Sequence, residues 1–207
     1  MLKNIVVFAS GTGSNFKNIK NSIDNGEING IIVLLISNNP NCGAVIFAKK
    51  YNIKYKIIND YRYNNVKDKD NQYKLVLDYF KTDLILLAGF MKKIPINVIN
   101  SYKNKIINIH PSLLPKYGGS GFYGMKVHQS VIENKEVETG ATIHFVTDKY
   151  DKGPVIMQRK IIISSVDTPE SLSKRVLKIE HDCYRLVVKA FCSNRINVNK
   201  YKVIINE

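Results

Sequence analysis

Leu84-Ile85-Leu86-Leu87-Ala88 is apolar at every position, and that run decides the fold class. A strand with one wet face alternates apolar and polar residues. One that is apolar throughout reads as a central strand covered by helices on both sides. Working outward, strand-like runs fall at residues 5–8, 31–36, 54–58, 106–109, 139–145 and 155–163, and amphipathic segments at 15–24, 43–51, 70–80, 95–102, 125–133 and 169–192 lie between or after them. Such alternation marks β-α-β units wound into an α/β fold. The expectation is a Rossmann-like, mainly parallel twisted sheet of about seven strands with helices on both faces. The last helix opens with Asp167-Thr168-Pro169-Glu170, a capping side chain followed by a proline suited to a first helical turn. No internal repeat, low-complexity tract or interdomain linker interrupts the 207 residues, so one domain is expected.

Composition narrows the class. No run approaches the ~18 apolar residues of a membrane span, and Met1-Leu2-Lys3-Asn4 leads straight into a strand pattern rather than a signal peptide. The expectation is a cytoplasmic protein that does not enter a membrane. Cys42, Cys183 and Cys192 are odd in number and widely spaced, which implies neither a disulfide framework nor a zinc site. Cys42 stands before a helix start and reads as a buried, inert thiol. Thirty-one Lys plus Arg against 17 Asp plus Glu give a formal charge of +14, which raises nucleic-acid binding as an alternative. The basic residues are scattered, and no nucleic-acid motif accompanies them. The lysines come with abundant Asn, Ile and Tyr, which reads mostly as compositional bias, so no nucleic-acid partner is expected, and the chain is expected to be a monomer or homodimer.

Asn108-Ile109-His110-Pro111-Ser112 closes one apolar run. Alternate side chains of a strand share a face, so Asn108 and His110 project together. A carboxamide donor beside a titratable imidazole suits acyl transfer, the donor holding a tetrahedral oxyanion and the imidazole supplying charge or a proton. Downstream, Asp148-Lys149-Tyr150-Asp151-Lys152-Gly153-Pro154 places carboxylates on a turn between two strands. Near His110, such a carboxylate favours the imidazolium and orients the ring; alone, it is a turn former. Ser10-Gly11-Thr12-Gly13-Ser14-Asn15 turns from strand into helix, where glycines let backbone N–H groups approach a phosphate. A dinucleotide fingerprint would need its third glycine where Phe16 stands and an acidic residue where Ser37-Asn38-Asn39 stands.

Ser10 to Asn15, Leu87-Ala88-Gly89-Phe90-Met91, Asn108-Ile109-His110-Pro111-Ser112-Leu113-Leu114-Pro115, and His144-Phe145-Val146-Thr147-Asp148 followed by Asp151 occur in that order. Together they resemble the folate-dependent phosphoribosylglycinamide formyltransferase family, over about residues 5–181. The resemblance implies the formyltransferase fold, with residues 1–100 as a ribonucleotide phosphate-binding half, 101–192 as a catalytic and folate-binding half, and 193–207 as a C-terminal tail. It implies Asn108, His110 and Asp151 as the catalytic residues, with His110 protonated. Gly13, Ser14 and Asn15 would hold the ribonucleotide phosphate. Lys178 and Glu180 would contact the same substrate, although Glu180 also reads as a solvated helix charge. Phe90, Met91, Lys92, Lys93 and Ile94, with Asn108, Thr147, Asp148 and Asp151, would bind the formyl donor 10-formyltetrahydrofolate. Core packing explains Phe90 and Ile94 as well. Lys67 or Lys69 would serve the folate tail, and no metal is implied.

Three further readings accompany the resemblance. His144 shares a face with Thr142 and reads as a hydrogen-bonded structural histidine, with a place at the border of the cleft as the alternative, and His128 and His181 read as peripheral residues on helices. Gly118 to Met125 is longer and richer in glycine than the family pattern, as either a flap or a surface insertion. Formyltetrahydrofolate hydrolase and methionyl-tRNA formyltransferase share the catalytic signature. The first carries an additional domain in front and the second one behind, for which this sequence leaves little room.

Overall fold

A computed structural model of the chain describes residues 1–199 and 202–206. The mainly parallel seven-stranded sheet runs in the order β3-β2-β1-β4-β5-β6-β7, with helices on both faces. The strands are β1 (Lys3–Phe8), β2 (Gly30–Ser37), β3 (Tyr55–Ile57), β4 (Leu84–Leu87), β5 (Ile106–His110), β6 (Glu138–Phe145) and β7 (Val155–Ile162). The helices are α1 (Ser14–Asp24), α2 (Gly43–Lys50), α3 (Val66–Tyr79), α4 (Ile96–Ser101), α5 (Met125–Glu133) and α6 (Pro169–Cys192). A hairpin of β8 (Ile196–Asn199) and β9 (Lys202–Ile205) follows. It accounts for the strand-like tail, of which Lys200, Tyr201 and Glu207 lie outside the described residues. Among the described residues, no helix is long and apolar enough to cross a membrane.

The chain divides into two compact units, residues 1–107 and 108–207. In the first, β1 pairs in parallel with β2 and β4, and β2 with β3. All four residues of β4 are buried, as an apolar strand covered on both faces requires. Phe8 of β1 stacks on Tyr73 and meets Phe90 edge-on at 5.1 Å between centroids. The turn after β1 ends at Gly13, whose φ of +72° is disfavoured for any residue with a side chain. A Cβ there would also lie 2.9 Å from the Ala44 Cβ at the start of α2. Helix α3 begins four residues before the expected start, because Asn65 caps it by accepting the Lys67 and Asp68 N–H groups.

In the second unit, β6 pairs antiparallel with β7. From Thr139 to Phe145, β6 is buried throughout, while most of β7 keeps one side toward solvent. Val127 and Val131 of α5 pack against Leu172 and Val176 of α6 in an apolar cluster. Thr168 and Ser171 form a reciprocal cap at the start of α6, with Pro169 in its first turn. Gly140 permits a close approach in the β6–β7 pair: a Cβ there would lie 1.9 Å from the Arg159 carbonyl oxygen. Gly140→Ala should therefore destabilise the protein by more than about 2 kcal/mol in urea titration. Wild-type stability would show that the two strands are not so closely apposed.

Candidate active site

In the second unit, one carboxylate gathers the residues singled out in β5. Asp151 Oδ1 accepts from Asn108 Nδ2 at 3.4 Å and lies 3.5 Å from His144 Nε2. Asp151 Oδ2 accepts the Gly119 N–H at 2.8 Å and lies 3.6 Å from His110 Nδ1. Asn108 and His110 thus share a face of β5, as the period of a strand demands. The turn that presents Asp151 is tightly held. Asp151 has a φ of +52°, a region aspartate tolerates better than most residues. Two residues on, a Cβ at Gly153 would lie 1.7 Å from the Phe145 carbonyl oxygen, so only glycine lets the turn fold back against the end of β6.

Hydrogen-bond chemistry settles the roles of the ring nitrogens. His144 Nδ1 lies 2.8 Å from the Phe145 carbonyl oxygen, which can only accept, so Nδ1 carries the proton. In the neutral ring, Nε2 therefore offers a lone pair to Asn108 Nδ2 at 3.1 Å. Both N–H bonds of the Asn108 carboxamide point at acceptors, and its orientation is fixed. His144 is 2% exposed. Although hydrogen-bonded as the sequence reading holds, it belongs to the cluster around Asn108. Its alternation with Thr142 was the available signal. Thr142 Oγ1 donates to the Ser112 carbonyl and accepts from Leu114 N–H and Gln158 Nε2, so this face of β6 straps down the loop after His110.

His110 is 4% exposed, and its Nε2 donates to the Tyr117 carbonyl at 2.7 Å. Burial pushes the imidazole below its ordinary pKa; the Asp151 charge and the Tyr117 carbonyl push it up without offsetting that burial, and the His144 charge lowers it further. The net lowering favours the neutral ring over the imidazolium that the resemblance implies. Both its neighbours are acceptors, however, so the ring completes its contacts only by taking a proton. For Asp151, burial raises the pKa, but the hydrogen bond that His144 gives it when its ring carries both protons, the His110 charge, the Gly119 N–H and the His144 charge together hold it below the usual carboxylate value. His128 is buried as well, held down to about 4 by burial and then by the His110 charge.

The Tyr117 carbonyl and the Gly119 N–H tie the glycine-rich loop to this cluster at its near end. Further along, Phe122 packs edge-on against Tyr117 and Lys126 lies over the Tyr123 ring. Thr147 Oγ1 bonds the Lys149 carbonyl, and Asp148 is exposed. On α6, Lys178 is exposed but Glu180 is buried, which replaces the reading of Glu180 as a solvated charge. Its charge helps burial raise the Tyr184 hydroxyl pKa.

In the first unit, the start of α1 has Gly13 in place of a capping side chain, followed by Ser14 and the buried Asn15. Ile94 joins the core and the half-buried Phe90 packs edge-on against Phe8 and Tyr73, while Met91, Lys92 and Lys93 are exposed. Lys92, Lys93 and Ile94 line a cavity of about 410 Å³ with Asn38, Asn59 and Tyr73. Asp60 at its rim pairs with Lys69 and lies 3.5 Å from Lys92 Nζ. Lys67 sits in the first turn of α3, where its N–H caps on Asn65.

Residues 3–188 match the formyl transferase family model, and the chain belongs to that family. Within it, the chain sits with the phosphoribosylglycinamide formyltransferases. It is 32% identical over 197 residues to the Escherichia coli protein of that name, covering 95% of this chain and 91% of that one. The chloroplastic protein of Arabidopsis thaliana is 40% identical over 196 residues, covering 94% of this chain. This chain spans 67% of that plant protein and 62% of its Vigna unguiculata counterpart. Among solved structures, the Coxiella burnetii phosphoribosylglycinamide formyltransferase superposes with a TM-score of 0.91 at 34% identity, covering 99% of this chain and 94% of that one. Glycinamide ribonucleotide transformylase 1 from Symbiobacterium toebii gives 0.92 at 28% identity, covering 100% and 95%.

Asp151 is the principal charge that raises the His110 pKa. Asp151→Asn should lower that pKa further, as read by NMR titration of the imidazole. An unchanged or higher value would mean that the carboxylate does not act on the ring.

Proposed function

We propose that this protein transfers the formyl group of 10-formyltetrahydrofolate to the amine of glycinamide ribonucleotide, a step of purine biosynthesis. The observation that carries the reading is the buried cluster in which one Asp151 carboxylate meets Asn108, His110 and His144, in a chain of the formyl transferase family. The amine attacks the formyl carbon directly, and no covalent enzyme intermediate forms. Asn108 donates an N–H to the oxygen that turns anionic. Its 3.4 Å bond to Asp151 is the longer of its two, and is the one this oxygen replaces. The other N–H, held by His144, keeps the carboxamide in place.

His110 acts beside it. Its ring is neutral at rest and surrounded by acceptors, so negative charge on the tetrahedral intermediate draws a proton from solvent onto it, Asp151 sustains the resulting imidazolium, and the proton returns to solvent when the intermediate collapses. The proton leaving the attacking amine passes through water near Asp151 to the departing folate nitrogen. Gly13, Ser14 and Asn15 hold the ribonucleotide phosphate at the positive end of α1, with Lys178 and Glu180 on the same substrate. The strip from Phe90 to Ile94, with Thr147 and Asp148, receives the pterin, and the lysines around the 410 Å³ cavity attract the anionic tail. The protein acts in the cytoplasm on small-molecule substrates, without nucleic acid or metal, as monomer or homodimer.

Removing an oxyanion donor commonly costs about 10²- to 10³-fold in rate. Asn108→Ala should lower kcat by about that factor while thermal unfolding shifts little, and Asp151→Asn should also impair turnover more than folding. Turnover at the wild-type rate in either variant would contradict the roles given to these residues.

A further inference from the structure

Three segments of the first unit meet at the hydroxyl of Ser10. Its O–H donates to Asn38 Oδ1 at 2.5 Å, just past the end of β2. The same oxygen accepts the backbone N–H of Met91 at 2.9 Å, just past the end of β4. The backbone doubles the link, since Ser10 N–H donates to the Gly89 carbonyl at 3.0 Å. Asn38 is itself tied down, its carbonyl accepting Asn59 Nδ2 at 3.1 Å. Both asparagines line the 410 Å³ cavity with Lys92, Lys93 and Ile94.

This junction has a chemical logic. A hydroxyl has one hydrogen to give, and Asn38 Oδ1 takes it, leaving a lone pair for the Met91 N–H. Residues 90–95 form neither helix nor strand, so no ladder of backbone bonds fixes them, and Met91 itself is 49% exposed. We propose that Ser10 is a positioning residue of the formyl-donor site: with Asn38 as its orienting partner, its hydroxyl holds the Met91–Ile94 strip in the shape that receives the pterin. The inference rests on the assignment of that strip to the donor. It gives the turn after β1 a second duty besides leading into Gly13–Asn15, because the residue that opens the turn also fixes the start of the strip beyond β4.

The test is steady-state kinetics with both substrates varied. Ser10→Ala removes donor and acceptor together. It should raise KM for 10-formyltetrahydrofolate about five- to tenfold, the worth of a hydrogen bond of ordinary strength, with KM for glycinamide ribonucleotide little changed. Ser10→Thr, which keeps the hydroxyl, should restore the donor KM. Asn38→Ala should reproduce the defect, and the double variant should add little to either single one. Met91→Ala, which keeps the backbone N–H but removes an exposed side chain of the strip, reports separately on the donor assignment. If Met91→Ala raises the donor KM and Ser10→Ala does not, the proposal is wrong while the assignment stands. If neither does, the assignment fails and takes the proposal with it. A rise in both KM values for Ser10→Ala in step with lost thermal stability, or no recovery with threonine, marks Ser10 as merely structural and overturns the proposal.

Discussion

The Asp151 carboxylate is the constraint on which the site depends. Burying an ionised carboxylate costs several kcal/mol unless its oxygens are well partnered. Here the two oxygens are divided between Asn108 and His144 on one side and Gly119 and His110 on the other. These partners outweigh burial, because the pKa stays below the ordinary value. The group is therefore an anion at any physiological pH. From that follow the direction of the Asn108 N–H bond to it, the upward pull on the His110 proton affinity, and the placement of the loop at Gly119. The left-handed backbone at Asp151 and the close approach at Gly153 are the local strain accepted to bring one charge to this point.

The fold supplies the supports for this charge from separate places. β5 provides two side chains on one face, and β6 provides His144 with a tautomer set by its own strand end. Thr142 anchors the loop after His110. In the first unit the same economy recurs with neutral groups, since the Ser10 hydroxyl joins the ends of β1, β2 and β4. The net charge of +14 adds a diffuse attraction for anions, effective over a Debye length of about 8 Å at physiological salt.

Much of this was legible in the sequence because it follows from side-chain periodicity. The all-apolar Leu84–Leu87 run, the shared face of Asn108 and His110, and the capping signature at Thr168 each depend on local rules, and each appears in the structure. What escaped depends on backbone groups and on distant partners. Nothing local shows that the Tyr117 carbonyl meets His110, or that the Gly119 N–H meets Asp151. The charge state expected of His110 gave weight to a neighbouring carboxylate, but burial, which only the folded chain reveals, is the larger effect. Both readings of His144 hold, since it is hydrogen-bonded and stands in the cluster, but its partner Asn108, 36 residues away, is not visible locally. The start expected at residue 70 falls four residues late because the Asn65 cap lies upstream of the amphipathic pattern.

The most direct test of the account is the absorbance change of 10-formyltetrahydrofolate on incubation with the purified protein, followed with and without glycinamide ribonucleotide. The account requires conversion that depends on the ribonucleotide and yields its formylated product. Conversion at the same rate without the ribonucleotide would mean hydrolysis rather than transfer. No conversion under either condition would contradict the assignment of the Asp151 cluster to formyl transfer.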